Sequence, residues 1–175
     1  VSGPAREVVR VERYDSRWPQ WASREITLLR GSLGDRIAEI EHIGSTAVPG
    51  LDAKPTVDLM LGTVGWPWRP EDDACLLSAG YSFYKSPNAR WRVYLRPRGR
   101  LLRGFHLHVV EAGSTHWHEH LRFRDHLRAH PEDARAYAGL KRELARRFGD
   151  DRGAYQAGKA DLIRAILTRV VTPST

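Results

Sequence analysis

Residues His42–Leu61, HIGSTAVPGLDAKPTVDLML, decide the reading of this chain. An apolar stretch, Ile37 to Ile43, runs into Gly44-Ser45-Thr46, and the turn region continues through Pro49 and Gly50. A near-continuous apolar run, PTVDLMLGTV, follows and carries one acid, Asp58. Strand, small-residue turn, strand is the expected order. Gly44 and Ser45 let backbone approach a ligand closely, and the hydroxyls of Ser45 and Thr46 can meet phosphate oxygens, with Lys54 near in sequence to balance charge. Asp58 is conspicuous because an acid in an apolar strand is costly unless it is paired or coordinated. Its two readings are a turn-capping or Arg-paired acid, and a metal ligand or general base. A site that holds a triphosphate beside a metal usually has a second acid two residues on. Here that position is Met60, which cannot ligate a hard cation.

Working outward, the spacing predicts a helix over RWPQWASREITLLRGSLG, with Trp18, Trp21, Ile26, Leu29 and Leu33 on its apolar face. Asp15-Ser16 offers the cap and Gly34 the stop. EDDACLLSAG reads as a short helix with acids in its first turn. YSFYKS and WRVYLRPRG read as two strands joined by PNAR, and GFHLHVVEAG as the last strand. From Ser114 the pattern is helical: STHWHEHLRFRDHLRAH, then a helix opened by Pro131, then one through AYQAGKADLIRAILTRVV. The order describes an α+β chain, a mixed sheet with flanking helices and a C-terminal helical segment. It is expected to be one domain over residues 1–175, with the sheet core at about 7–112 and the helical part at about 114–172.

The HxH pair is the second candidate. Period two places His106 and His108 on one face of a strand, opposite Phe105, Leu107 and Val109, where two imidazoles can chelate one divalent ion or contact a phosphate. Arg92 alternates with Tyr94, so it is a candidate for the same face. Arg124-Asp125 sits mid-helix, where a salt bridge is the default. His116, His118, His120, His126 and His130 are spread round a helix and read mostly as solvated surface, with His116 and His120 able to chelate as an i,i+4 pair.

Net charge is +7, from 28 Lys+Arg against 21 Asp+Glu, which favours anionic partners. A sequence-specific DNA reader is the least favoured of these, since the basic residues are scattered and no helix-turn-helix or zinc-finger pattern is present. No apolar run is long enough to span a bilayer, the first residues lack a signal-peptide core, and the single Cys75 excludes an internal disulfide; a cytoplasmic location is expected.

Six segments carry a resemblance: VERYDSRWPQWASRE, IEHIGSTAVPGLDAKPTVDL, RVYL, HLHVV, LRFRDHLRAHPEDARAYAGLK and AYQAGKADLI. In this order they resemble the GrpB-like (UPF0157) family of the nucleotidyltransferase superfamily. The resemblance implies a nucleotidyltransferase-like mixed sheet, with the turn at Gly44-Ser45 on a triphosphate and Asp58 on a divalent ion. It also implies that His106 and His108 stand where a later carboxylate stands in the superfamily. One ion (Mg, Mn or Zn) held by Asp58, His106 and His108 then replaces a two-ion site, and Arg92, Arg124, Asp125, Lys141 and Lys159 become pocket candidates. The reading of the residues leaves three functions open: transfer of a nucleotidyl group, a nucleotide- or metal-binding domain without turnover, and a single-ion Asp/His enzyme of another class.

Overall fold

The computed structural model describes residues 8–98 and 104–171, so the expected limits at residues 7 and 172 lie outside the described residues. Helix α1 (Trp18–Leu33) leads to strand β1 (Ile37–Ile43), and β2 (Thr56–Thr63) follows the turn region. Next come α2 (Pro70–Ser78), β3 (Ser82–Asn88), β4 (Trp91–Pro97) and β5 (Gly104–Glu111). The chain closes with α3 (Thr115–Ala129), α4 (Pro131–Phe148), α5 (Arg152–Ala157) and α6 (Ala160–Val171). The expected α+β architecture is what forms.

Five strands make one sheet in the order β1-β2-β5-β4-β3. β2 and β5 lie side by side and parallel, and every other pairing is antiparallel. The parallel pair sits at the centre, as its nearly unbroken apolar sequence requires. Its register aligns Asp58 with His106 and Met60 with His108.

Alternation along the strands sorts the two faces. Val57, Leu59 and Leu61 of β2 join Phe105, Leu107 and Val109 of β5 in a core that takes in Trp18, Leu29 and Leu33 of α1 and Leu76 of α2. Within it the buried Glu25 accepts from the Tyr81 hydroxyl at 2.7 Å and from Arg96 Nη1 at 2.5 Å. On the other face Ile43, Met60 and Val110 pack against Trp117 of α3. The C-terminal helices have their own apolar cluster, in which Leu127, Tyr137, Ala138 and Ile166 close over Val48 and Leu51 of the turn region. That cluster ties the helical part to the turn that precedes Asp58.

Two local expectations are corrected. The cap of α1 is Arg17, with Asp15 Oδ1 accepting from the Arg17 backbone N–H at 2.9 Å and Asp15 pairing with its guanidinium. The last helix is two helices, broken at Gly158-Lys159. Gly158 stands so close to Leu144 that a Cβ there would lie 2.5 Å from Leu144 Cδ2, so a larger residue would require the Leu144 side chain to shift.

Candidate active site

Gly44 turns the chain out of β1 with φ 70° and ψ −170°, into a short 3₁₀ turn at Ser45–Ala47. A Cβ at Gly44 would lie 2.7 Å from Asp58 Oδ2, so turn and carboxylate are in contact. From β5, His106 Nδ1 stands 3.2 Å from Asp58 Oδ1, and His108 Nε2 is 3.9 Å from the same oxygen. The register explains this, because parallel partners two residues apart on β2 and β5 present side chains to one face. Burial alone would raise the Asp58 pKa, but the donors that His106 and His108 turn toward the carboxylate hold it well below the usual range.

These residues lie in a cavity of about 580 Å³. Gly44, Ser45, Thr46, Lys54 and Asp58 border it from the turn and β2, His106 and His108 from β5, and Lys141 and Lys159 from the helical part. Thr46 is buried, and its hydroxyl is 3.0 Å from His42 Nε2. Burial pushes the His42 imidazole down to about 4, so that ring is neutral at pH 7. Burial raises the Tyr137 phenol pKa, and the Ser45 side chain opposes that shift.

Lys141 is 2% exposed and donates to the Asp52 carbonyl while its ammonium lies 4.8 Å from the Tyr137 ring centre. Burial, and then repulsion from Lys159, bring its pKa down to about 7. Lys159 sits 4.7 Å from the Tyr155 ring centre, and burial brings it down to about 8. With Lys54, Lys85 and Arg152 they give the cavity lining five basic side chains among the described residues, against the acids Asp58 and Glu119. A partly desolvated cavity of that balance suits a multiply charged anion.

Three candidates, Arg92, Arg124 and Asp125, do not line the cavity. Arg92 pairs with Val109 across the sheet, which puts it on the α1/α2 face, where it meets Asp73 at 3.4 Å. Trp91, Val93 and Leu95 are the β4 residues that line the cavity on the imidazole side. Arg124 is buried as a clamp between α3 and β1: Nη1 donates to Glu41 Oε2 at 2.6 Å and to the His42 carbonyl at 3.0 Å, and Nε donates to Asp125 at 2.8 Å. Its default salt-bridge role is the observed one, with Asp125 as a partner.

The histidines of α3 do not behave as one surface set. His126 is paired with Asp133 at 2.7 Å and stacked on His130, whereas His120 lines the cavity with its ring 5.9 Å from that of His108. Burial lowers the His120 pKa. Trp91 packs against His108, His116 and His120 at 5.7, 4.8 and 5.7 Å. Trp91, Tyr137 and Tyr155 join the cavity lining without a signal of their own in the sequence, and His120 joins it where the sequence offered only a chelating pair with His116. The signal for His120 was its place three residues after Trp117, beside the stripe through Leu121 and Arg124.

The metal expectation can be tested on the donors. Trp91 Nε1–H donates to His108 Nδ1 at 3.2 Å, so Nδ1 is a lone pair and Nε2 of the neutral ring carries the proton, facing Asp58. His106 likewise turns Nδ1 toward the carboxylate it hydrogen-bonds. As folded, Asp58 Oδ1 has His106 Nδ1 at 3.2 Å and the proton-bearing His108 Nε2 at 3.9 Å, an arrangement that does not fit a three-residue metal cage. Among the described residues no group of three His, Cys, Asp or Glu is placed to hold an ion.

Residues 8–169 match the sequence model of the family described as GrpB protein. The chain belongs to the GrpB family. A UPF0157 protein of Streptomyces coelicolor is 36% identical over 97% of this chain and 88% of its own length. The crystal structure of the conserved protein GrpB from Enterococcus faecalis superposes with a TM-score of 0.78 at 28% identity, covering 93% of this chain and 97% of that one. The Cid1 poly (U) polymerase bound to MgATP gives a TM-score of 0.47 at 14% identity, covering 75% of this chain and 45% of that one, a likeness too weak to carry a conclusion. Among the described residues no helix is long and apolar enough to cross a membrane.

Proposed function

We propose that this GrpB-family chain is a nucleotidyltransferase-like enzyme that binds a nucleoside triphosphate, or a closely related phosphorylated small molecule, in the cavity beside Asp58. The observation that carries the reading is the meeting of an anion-suited lining with the Gly44–Thr46 turn and an ionised carboxylate in contact with it. Lys141 and Lys159 come from the helical part and the turn from the sheet, so a polyphosphate would bridge the two. Ser45, Lys54, Lys141 and Lys159 would meet phosphate oxygens, and the aromatic walls Tyr84, Trp91 and Tyr155 would pack on the rest of the ligand. Divalent ions serve this class of reaction by neutralising phosphate charge. The protein offers Asp58 without a cage around it, so such an ion would be held mainly by the ligand's own phosphates.

One observation favours a second reading, a nucleotide-sensing domain without turnover. Position 60, where a second acid would stand, is a fully buried methionine under Trp117.

The deciding experiment is thermal unfolding of metal-stripped protein with ATP, GTP, CTP or UTP, each with and without magnesium, manganese or zinc. A ligand at a hundred times its Kd adds about 2.7 kcal/mol, which is several degrees in Tm for a chain of this size at roughly 2–4 °C per kcal/mol. The expected result is a triphosphate-dependent shift that Asp58→Ala abolishes, with pyrophosphate release deciding between enzyme and sensor. No shift with any triphosphate overturns the ligand class.

A further inference from the structure

Two imidazoles in the cavity have their tautomers set in opposite senses. An indole N–H can only donate, so the Trp91 bond at 3.2 Å leaves His108 with a bare Nδ1 and a protonated Nε2. A backbone carbonyl can only accept, so the 2.8 Å bond between His120 Nδ1 and the His116 carbonyl leaves His120 with a protonated Nδ1 and a bare Nε2. The rings are 5.9 Å apart at an interplanar angle of 41°, with Trp91 against both. The Asn88 side-chain amide, 2.9 Å from His116 Nε2, secures the outer side of this wall. Both rings line the cavity that holds Asp58 and the Gly44-Ser45 turn.

The geometry points to a division of labour: His120 accepts the proton of an attacking hydroxyl or amine at Nε2, while His108 serves as a fixed hydrogen-bond donor to anionic oxygen. His108 cannot be the acid. Losing the Nε2 proton while Nδ1 accepts from Trp91 would leave an imidazolate, far too basic to form at neutral pH. The assignment rests on the nucleotidyl-transfer reading and supplies the proton acceptor for it. The acceptor O–H bond breaks, and its proton goes to His120 Nε2. The oxygen electron pair forms the new bond to the α-phosphorus. The bond from that phosphorus to pyrophosphate breaks, and its electron pair leaves with pyrophosphate. The His120 imidazolium then gives its proton to solvent. Trp91 and the His116 carbonyl act on the chemistry as positioning groups, which fix the two tautomers.

Long-range ¹H–¹⁵N correlation spectra of the histidines, recorded on the ligand-free full chain, test the assignment directly. The expected spectrum has His120 protonated on Nδ1 and bare on Nε2, with His108 the reverse. In Trp91→Phe, His108 is expected to lose its single tautomer while His120 keeps its own. A protonated Nε2 on His120, or a protonated Nδ1 on neutral wild-type His108, overturns the proposal. Diethyl pyrocarbonate, which acylates a bare imidazole nitrogen, supplies a second readout by peptide mapping. Reaction at His120, with His108 slower, supports the proposal; an untouched His120 beside reacting His118 and His130 overturns it. Neither measurement needs a nucleotide. Failure of the ligand reading would instead be seen as an unmoved Tm with both tautomers standing as assigned.

Discussion

At the residue scale the site depends on one glycine and one methionine. Gly44 combines a positive φ with a contact that leaves no room for a Cβ beside Asp58. Gly44→Ala is expected to cost about 1–3 kcal/mol in stability through backbone strain. It should also push Asp58 from the imidazoles, seen in urea unfolding together with loss of any triphosphate-induced Tm shift. Met60 looked in the sequence like the empty place of a second acid. It lies instead beneath Trp117 with Ile43 and Val110. Met60→Asp would bury a carboxylate without a partner, and should destabilise the fold by about 3 kcal/mol or more without creating a second ion site. A variant as stable as the wild type, with tighter magnesium binding, would show that α3 does not seal this position.

At the element scale, α3 is the part that both closes the site face and anchors to the sheet. Arg124 is its anchor, bonded to the last turn of β1 through Glu41 and the His42 carbonyl. Burial opposes its charge, but the hydrogen bonds it donates to Asp125 and Glu41 raise its pKa overall, so the guanidinium stays charged. Arg124→Met should cost about 1–3 kcal/mol, because charge-assisted hydrogen bonds and the donor to the His42 carbonyl are lost while Glu41 and Asp125 remain partly solvated, measured by chemical denaturation. Ligand affinity of the folded fraction is expected to be nearly unchanged, because Arg124 does not line the cavity; a large loss of affinity at full folding would return it to the binding site. The break between α5 and α6 acts at the same scale. A continuous helix over Ala154–Val171 would fix Lys159 to one helical face, whereas the break at Gly158 leaves Lys159 on the cavity lining.

For the whole molecule, the cavity is a junction: sheet and turn bring Asp58, and the helical part brings Lys141 and Lys159. Both lysines have pKa values brought down to about 7 and about 8, chiefly by burial. Their ammonium forms are therefore only partly populated near pH 8, and a bound anion would raise both values. Anion binding is then favoured below the free-state values and weakens as pH rises through the bound-state ones. Titration calorimetry of ATP near pH 8, in buffers of different ionisation enthalpy, should report uptake of a fraction of a proton or more, reduced in Lys141→Met. Proton release, or no exchange, would mean that the lysines do not meet the anion.

The sequence by itself determined the elements and their order apart from the break between α5 and α6, the family, and the likeness of the Gly44–Asp58 stretch to an anion-binding turn. Those follow from period-two and helical patterns and from local turn chemistry, all of which act over a few residues. It also put His106 and His108 on one face, because alternation along a single strand needs no partner. Only the tertiary structure decided that Arg92 belongs to the opposite face, since that depends on how β4 registers against β5. It alone decided that Met60 is sealed and that His120 joins the site while His126 does not, since both depend on how α3 lies across the sheet. The His108 tautomer comes last of all, set by Trp91 from a neighbouring strand, whereas that of His120 is set locally by a carbonyl one helical turn back. Pairings between residues distant in the chain fix register and helix placement, and a sequence pattern has no term for them.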